Sequence, residues 1–346
     1  MEPTKLTQYS RGSGCGCKIS PKVLEEILKT NTVFAGNKKL LVGNETKDDA
    51  AVYDMGNGIG FISTVDFFTP IVDDAIDFGK IAAANAISDV YAMGGTPILA
   101  LAILGWPVDK LSTELAQKVI EGARIICKEA RIPLAGGHSI DSPEPIFGLT
   151  VNGFVELKNL KKNSTAKEGD LLYLTKPLGT GILAAAEKKC LLKAEHKYLA
   201  LEQMTQLNKV GAKLAQLSGV NAMTDITGFG LLGHLIEMAE SSNLQAEINY
   251  SKIPLITDLS FYTSQMCVPD NTFRNWNSFE KKTEGITGDS LFTLCDPQTN
   301  GGILIAVDPK EKLQVENVLK AENLEKFTSP IGVMKRKKWE QFVVLK

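Results

Sequence analysis

The spacing of apolar and polar residues predicts strands and helices along most of the chain. Apolar or β-branched runs of strand length occupy 50–53, 59–65, 97–104, 132–135, 147–155, 170–175, 244–249 and 303–307, with a last strand near 331. Apolar residues at helical spacing predict helices over 21–29, 78–93, 111–130, 179–189, 197–217 and 231–239, and another helix from 309. Side chains repeat about every 2 residues along a strand and about every 3.6 residues along a helix, and these repeats distinguish the two kinds of element. The stretches 31–44 and 251–288 lack both and are predicted to be irregular.

A polar, lysine-rich segment at 158–169 is the predicted domain boundary. A length of 346 residues suggests two domains of ordinary size. We therefore predict four parts, namely a flexible arm with the first helix over 1–45, an N-terminal domain over 46–157, a linker over 158–169 and a C-terminal domain over 170–346.

The composition and the cysteine spacing predict a globular protein in a reducing compartment. Hydrophobic residues make up 44% of the chain, charged residues 23%, and the formal net charge is −2, which argues against a nucleic-acid or acidic-membrane binder. The N-terminus lacks the apolar core of a signal peptide, and the apolar run at 97–108 is too short to cross a membrane. The six cysteines have no disulfide-framework spacing. We expect a cytoplasmic protein with no nucleic-acid or membrane partner.

Four aspartates occupy positions typical of ligands, at Asp49, Asp66, Asp89 and Asp225. Each is expected at the end of an apolar element or in a turn rich in glycine and threonine. Carboxylates without a histidine cluster suit a hard cation, so Mg²⁺ is favoured over Zn²⁺, and Mg²⁺ commonly reaches substrate phosphates. The alternative for Asp66 is a solvent-facing strand end, and for Asp89 a surface position. Asn85 and Asp89 are four residues apart and share one helix face.

The N-terminal stretch 10–21 places two thiols and a lysine among glycines, just before a helix. Ser20 suits the N-cap and Pro21 the first helical position. A nearby cation lowers the pKa of a thiol, and Lys18 lies close in sequence to Cys15 and Cys17. Three alternatives stay open on these residues alone, namely a disordered terminus, a zinc site without its remaining ligands and a phosphate loop without a preceding strand.

Gly136-Gly137-His138-Ser139 follows a short predicted strand. A glycine-rich turn after a strand suits a nucleotide-contacting loop, because backbone N–H groups can face a phosphate there. A plain tight turn is the alternative, and a lone histidine is weak support for catalysis. The turn before the helix at 231–239 carries an acid and a threonine, which suits an anion or a metal–phosphate group.

Taken together, these motifs closely resemble the selenophosphate synthetase (selenide, water dikinase) family. The acid blocks are shared with its superfamily, which includes aminoimidazole ribonucleotide synthetase, thiamine monophosphate kinase and a hydrogenase-maturation enzyme, whereas Gly14-Cys15-Gly16-Cys17-Lys18 indicates this member. The matching blocks are residues 6–10, 14–18, 43–53, 64–66, 88–95, 136–139, 224–230 and 296–302. The resemblance implies an α/β (α+β) fold of two domains, with the N-terminal sheets of two subunits pairing into a barrel across a homodimer.

The resemblance also implies a reaction and a set of roles. ATP, selenide and water would give selenophosphate, the selenium donor for selenocysteine and selenouridine, together with AMP and orthophosphate. Asp49, Asp89 and Asp225 would hold Mg²⁺, and Cys15 would receive or orient selenium while Lys18 neutralises phosphoryl charge. The nucleotide-binding residues would be Lys18, Thr46, Lys47, Asp48, Asp66, Asp89, Gly136, Gly137, His138 and Ser139. The expected protein partners are a second copy of the chain and a selenium-delivery protein. The arm is expected to be mobile without nucleotide and to close over the phosphates when ATP and Mg²⁺ bind.

Two rival functions differ in class. A small-molecule kinase or ATP-dependent cyclase of the same superfamily would need no thiol, so the cysteine arm argues against it. A non-enzymatic selenium carrier would need no ATP site, so the dispersed acids argue against that function.

Overall fold

The structure is a computed structural model that describes residues 4–10, 13–19, 21–29, 37–43, 47–338 and 340–346. Two mixed β-sheets organise these residues, one built from the chain up to residue 156 and one from residue 171 onwards. Within the described part, no helix is long and apolar enough to cross a membrane. The predicted N-cap Ser20 and most of the predicted loop 31–44 lie outside the described residues.

The first sheet has six strands in the described part of the chain. They are β1 (Leu40–Val42), β2 (Ala51–Gly56), β3 (Ile59–Phe68), β4 (Thr96–Trp106), β5 (Leu134–Asp141) and β6 (Ile146–Glu156). Their spatial order is β1-β2-β3-β6-β4-β5, and only β4 and β5 run parallel. The predicted strands are present, but several are longer than predicted.

In the described residues of the first half the α-helices are α1 (Pro21–Leu28), α2 (Ala75–Ala92) and α3 (Thr113–Glu129). The Asp74 side chain caps α2 by accepting a hydrogen bond from the backbone N–H of Asp77. The alanine-rich α2 is buried along almost its whole length, packed between the sheet and α3. Because small side chains let the helix approach the sheet closely, polar groups on α2 can reach strand residues.

The second sheet has seven strands in the described part. They are β7 (Leu171–Leu174), β8 (Val220–Asp225), β9 (Leu244–Ile248), β10 (Thr283–Glu284), β11 (Ile303–Val307), β12 (Gly332–Arg336) and β13 (Val343–Leu345). Their order is β10-β13-β9-β12-β7-β11-β8. Strand β11, which pairs with β7 and β8, is buried at every position, as its continuous apolar sequence predicts.

Eight α-helices accompany the second sheet among the residues that the structure describes. They are α4 (Thr180–Lys188), α5 (Leu199–Thr205), α6 (Val210–Leu214), α7 (Gly230–Ser241), α8 (Ser260–Thr263), α9 (Asp270–Phe279), α10 (Asp289–Leu294) and α11 (Lys312–Ala321). Two predictions were wrong here. The single helix over 197–217 is two helices with a break between them, and the segment 251–288, predicted to be irregular, contains α8 and α9.

Candidate active site

The four predicted acids come from four different elements and converge at the junction of the two sheets. Asp49 precedes β2, Asp66 lies within β3, Asp89 lies in the last turn of α2, and Asp225 ends β8. Asp66 is therefore inside its strand and not at the end, where the sequence placed it. Burial and then neighbouring carboxylates raise the pKa of Asp49 and Asp89. The charge of Asp66 contributes to the raised pKa of Asp89 and Asp225, which places the four acids within electrostatic reach of one another.

Hydroxyl and amide groups hold each carboxylate in place. The Thr224 hydroxyl donates to Asp49 at 2.8 Å, and the Thr64 hydroxyl donates to Asp89 at 2.5 Å. Ser88 donates to Asp225 at 2.5 Å, and Asn85 Nδ2 donates to Asp66 at 2.5 Å. These donors fix the carboxylates before any ligand arrives. Asn85, Ser88 and Asp89 share one face of α2, which its helical spacing could have indicated.

Burial works against ionisation of these acids. It is the largest cause that raises the pKa of Asp49 and Asp89 well above the usual range, followed by the charge of Asp225 for Asp49 and of Asp66 for Asp89. Burial also raises the pKa of Asp225, against the hydrogen bond from Ser88. Because like charges are gathered in a poorly solvated place, a cation bound there would relieve a standing repulsion.

The four carboxylates are suited to an Mg²⁺ site that substrate phosphates complete, and not to a metal site built from protein ligands alone. Among the described residues, no three His, Cys, Asp or Glu side chains lie close enough to hold a metal ion. Mg²⁺ commonly binds one or two carboxylates and completes its octahedron with waters and substrate phosphates, so dispersed buried carboxylates suit it. The metal roles of Asp49, Asp89 and Asp225 stay a prediction.

The arm inserts between the two halves of the chain and brings its thiol to the acids. Gly14 N–H donates to the Thr69 carbonyl at 3.0 Å, and Cys15 N–H donates to Thr299 Oγ1 at 3.2 Å. The Cys15 side chain is buried and only 1% exposed, and its Sγ lies 3.2 Å from Asn85 Oδ1. Because Asn85 also holds Asp66, one side chain connects the thiol to the acid cluster. The side chain of Cys17 lies outside the described part of the structure.

Lys18 places the cation of the arm beside the same cluster. Its Nζ lies 3.9 Å from Asp66 Oδ1 and 3.4 Å from the Thr227 hydroxyl. Burial alone would lower the pKa of Lys18, but the negative charges around it, Asp66 foremost, raise the pKa above its ordinary value. The ammonium is therefore firmly charged.

The orientation of Asn85 depends on residues that the sequence did not single out. Asn300 N–H donates to Asn85 Oδ1 at 2.7 Å, so this oxygen has a fixed donor in addition to the Cys15 thiol. Lys176 in turn donates to the Asn300 carbonyl at 2.8 Å. Asn208 donates to the Ser88 hydroxyl at 2.8 Å and so supports the donor of Asp225. Asn208 lies between two short helices, where local sequence carries no signal for such a role.

His234 supports the residue that contacts Lys18. The backbone N–H of Thr227 donates to His234 Nε2 at 3.2 Å, so this nitrogen is an acceptor. The other ring nitrogen lies 3.4 Å from Glu237. Both side chains are buried in α7, and they fix the turn that leads from Asp225 into that helix.

The predicted nucleotide turn at 136–139 does not lie with the acids. Gly136, Gly137, His138 and Ser139 are part of β5 and not a turn. The row of paired residues across the sheet runs from Asp66 through β6 and β4 to Gly137, three strand spacings or about 14 Å away. His138 points to the face of the sheet opposite Asp66, since neighbouring strand residues alternate. Gly137 and Asp66 are therefore not in contact within one chain, and a nucleotide role for residues 136–139 stays a prediction.

The remaining predicted nucleotide residues are placed as follows. Thr46 lies outside the described residues. Asp48 accepts a hydrogen bond from the backbone N–H of Asn163 at 2.7 Å, and the Lys47 carbonyl accepts one from the Asn163 amide at 3.0 Å. These bonds attach the loop before β2 to the segment that leads into the second half. A nucleotide role for Lys47 and Asp48 stays a prediction.

Comparison with known proteins gives a consistent result. The AIR synthase related protein, N-terminal domain, matches residues 47–155, and the AIR synthase related protein, C-terminal domain, matches residues 167–344. The chain is 58% identical to selenide, water dikinase of Yersinia pseudotuberculosis over 328 residues, which cover 95% of this chain and 94% of the relative. It is 54% identical to selenide, water dikinase of Aeromonas hydrophila, with 99% of both chains covered.

A solved structure supports the fold. The thiamine monophosphate kinase from Aquifex aeolicus is similar with a TM-score of 0.65 at 17% identity, and the match covers 94% of this chain and 95% of that one. This likeness confirms the two-domain α/β fold that the resemblance implied. The pairing of sheets across a dimer stays a prediction.

Proposed function

Because the chain belongs to the selenide, water dikinase family and carries both AIR synthase related domains, we propose that it makes selenophosphate from selenide, ATP and water. AMP and orthophosphate are the other products. The observation that carries the proposal is the Cys15 thiol, buried 3.2 Å from Asn85 Oδ1, at an acid cluster suited to a metal-bound triphosphate. A superfamily kinase without selenium chemistry would have no use for a thiol there.

The acids are assigned to the phosphate chain. Asp49, Asp89 and Asp225 would hold Mg²⁺, and Asp66 would help to bind the nucleotide. When bound, Mg²⁺ neutralises phosphate charge and orients the chain of phosphates. The hydroxyl and amide donors around the four carboxylates keep them aimed at that position, so little reorganisation accompanies ATP binding.

Lys18 is assigned to the transferred phosphoryl group. Phosphoryl transfer is catalysed mainly by positioning and by neutralising charge on the equatorial oxygens. The ammonium of Lys18 lies on the arm side of the acids, within 3.9 Å of Asp66. It can therefore approach the phosphoryl group from the side opposite the metal-binding carboxylates.

Cys15 is assigned to the selenium substrate. A thiol is a soft group that matches a soft selenium nucleophile, and its Sγ faces Asn85 rather than solvent. Closure of the arm would shield the reacting groups from water, which competes with selenide for the phosphoryl group.

A homodimer would complete the site. The face of the first sheet that α2 leaves uncovered exposes several large apolar side chains, among them Val65 at 50% and Phe67 at 51%. Exposed apolar patches of this kind mark interaction surfaces, and a second copy of the same sheet is the proposed cover. His138 lies on this open face, so a nucleotide role for His138 would be exercised in the site of a second copy.

Selenide-dependent ATP consumption tests the proposal. We expect anaerobic ATP consumption only when selenide is added, loss of that activity in Cys15→Ser, and a measurable rate in Cys17→Ser. Cys17→Ser is the matched control because it removes a thiol two residues away on the same arm. ATP consumption indifferent to selenide would contradict the proposal, and equal loss in both variants would contradict the special role of Cys15.

A further inference from the structure

A cavity of about 540 Å³ lies on the outer side of the arm. It is bounded by the arm, by α4, by the start of α9 and by the turn at 297–299. Ser13 and Gly16, which flank Cys15 in sequence, both line it. None of the four acids of the cluster is among its lining residues. The cavity is therefore distinct from the proposed metal–triphosphate position.

The arm lies between this cavity and the buried thiol. Thr69 and Thr299 line the cavity, and they are the two residues that accept the backbone hydrogen bonds of Gly14 and Cys15. The Cys15 side chain points away from the cavity, toward Asn85. A ligand in the cavity would consequently reach the thiol by a displacement of a few arm residues.

The rim of the cavity carries more positive than negative side chains. Lys188, Lys189 and Arg274 face Glu144 and Asp270 there. Lys189 donates to the Met266 carbonyl at 2.5 Å. Within the described part of the chain, the ammonium of Lys188 and the guanidinium of Arg274 have no ion pair or hydrogen bond. Two cations are thus available to a ligand of negative charge.

The chemistry of the reaction makes this side the favourable approach for selenide. Hydrogen selenide is a stronger acid than a thiol and is a monoanion at neutral pH. On the acid side the phosphate chain of ATP would repel an anion, whereas the cations of the rim attract one. In-line transfer also places the nucleophile opposite the leaving ADP, and therefore on the arm side of the phosphoryl group when the acids hold the phosphate chain.

We propose that this cavity is the inlet for the selenium anion, used independently of the path that ATP takes. The inference rests on the proposed function and assigns the substrate route at the same site. At about 540 Å³ the cavity has the size of a small-molecule pocket, so the anion is drawn in with its hydration water and is guided by charge rather than by close fit.

Reversal of the rim charges tests the inlet. In the double variant Lys188→Glu with Arg274→Glu, we expect the KM for sodium hydrogen selenide to rise about 10-fold, because the steering charge is reversed. The kcat and the KM for ATP should stay within twofold of the wild type. The wild-type kcat/KM for selenide should fall as salt is added, and the variant should lose this dependence.

The matched control is Lys320→Glu with Lys335→Glu, which makes the same change in net charge at exposed positions away from the cavity. Both variants should unfold at the wild-type temperature. An unchanged KM for selenide in the rim variant, an equal rise in the control, or a parallel rise in the KM for ATP would each overturn the inlet. A wild-type enzyme that forms no AMP with selenide would instead contradict the proposed function.

Discussion

The acid cluster and the arm face each other across one cleft, but they are held in place in different ways. Each acid belongs to or borders a strand or helix and accepts a hydrogen bond from a hydroxyl or amide. The described residues of the arm before α1 belong to neither sheet and are held by hydrogen bonds along it, among them those from the Thr7 N–H and hydroxyl to Asp73, from the N–H groups of Gly14 and Cys15, and from the Cys15 thiol to Asn85. The acids are thus built into the fold, whereas the arm is attached to it.

This difference assigns different work to the two regions. In a rigid acid cluster, the repulsion between the carboxylates already destabilises the folded state. Binding of the metal and the phosphates would relieve that repulsion, so it strengthens their binding. An arm that belongs to neither sheet can leave and return without disturbing either one, which a reaction with a sealed intermediate and three products requires. Motion of the arm is a prediction, and Arg11, where a protease would cut it, lies outside the described residues.

The largest effect is expected from removing one charge of the cluster. Asp89→Asn should weaken Mg²⁺-dependent ATP binding about 10- to 100-fold, the range for a lost interaction with a charged group. The pKa of Asp89 is raised by burial and then by Asp66, so its ionised form destabilises the fold, and the variant should be at least as stable as the wild type. Calorimetry of ATP binding and thermal unfolding measure the two effects.

The control for this prediction is Asp109→Asn, an exposed acid of the same half of the chain. It should bind ATP as the wild type does. Wild-type ATP affinity in Asp89→Asn would remove Asp89 from the metal site and would make the cluster a structural feature.

A smaller effect is expected from loosening the arm. Gly14 has a φ of +52°, and a Cβ there would lie 2.7 Å from Thr299 Oγ1 and 2.8 Å from Ile71 Cδ1. The left-handed conformation alone costs an L-residue about 1–2 kcal/mol, so Gly14→Ala should lower kcat about 10-fold while leaving ATP affinity unchanged.

Gly16→Ala is the matched control for the arm. A Cβ at Gly16 would meet its nearest neighbour at 3.8 Å, an ordinary contact, so this variant should keep a rate close to that of the wild type. Equal activity of both variants would contradict the closed placement of the arm as the working conformation. A loss of ATP affinity in Gly14→Ala would show that the arm contributes to nucleotide binding.

The last expected effect concerns stability and not activity, and it is a pH dependence at the turn beneath the arm. Asp296 is fully buried and accepts a hydrogen bond from the N–H of Gly181 at 3.1 Å. Burial raises its pKa from 3.8 to about 7. The folded state therefore holds its proton more tightly than the unfolded state, so wild-type stability should fall between about pH 4 and pH 7, by at most about 1.4 kcal/mol per pH unit.

Asp296→Asn removes this titration, so its stability relative to the wild type should increase as the pH rises through that window. Urea unfolding at pH 5 and pH 7.5 measures the difference. A constant difference between the two proteins at both values would show that Asp296 ionises normally in the folded chain.

The sequence predicted best what depends on local pattern. The strands, the long helix α2 and the positions of the four acids follow from periodicity and from acids placed beside apolar elements. The single helix over 197–217 failed because tertiary donors stop it. Asn300 Nδ2 donates to the carbonyls of Met204 and Gln206, and Lys176 takes the carbonyls of Gln203 and Gln206. These side chains bind carbonyls that a continuing helix would use for its own hydrogen bonds, and the local sequence pattern carries no sign of them.

Residues 136–139 show a second limit. A pair of glycines was interpreted as a turn, yet Gly137 lies in a strand where a Cβ would come within 2.1 Å of the Ala102 carbonyl oxygen. Glycine is needed there for the close approach of two strands and for a positive φ beside an irregularity in their pairing, and not for a tight turn. A tight turn and a close approach of two strands both require glycine, so the sequence looks the same in either case. The pairing of β4 with β5 in the structure distinguishes the two.

The products of one ATP test the central claim most directly. An ordinary kinase leaves ADP, whereas the proposed reaction cleaves both anhydride bonds, with the γ-phosphoryl passing to selenium and the β-phosphoryl to water. Anaerobic phosphorus NMR with ATP, Mg²⁺ and selenide should show AMP, orthophosphate and a phosphorus–selenium species in equal amounts. Stoichiometric ADP as the final product, or turnover that ignores selenide, would contradict the account and make the protein a kinase of the same superfamily.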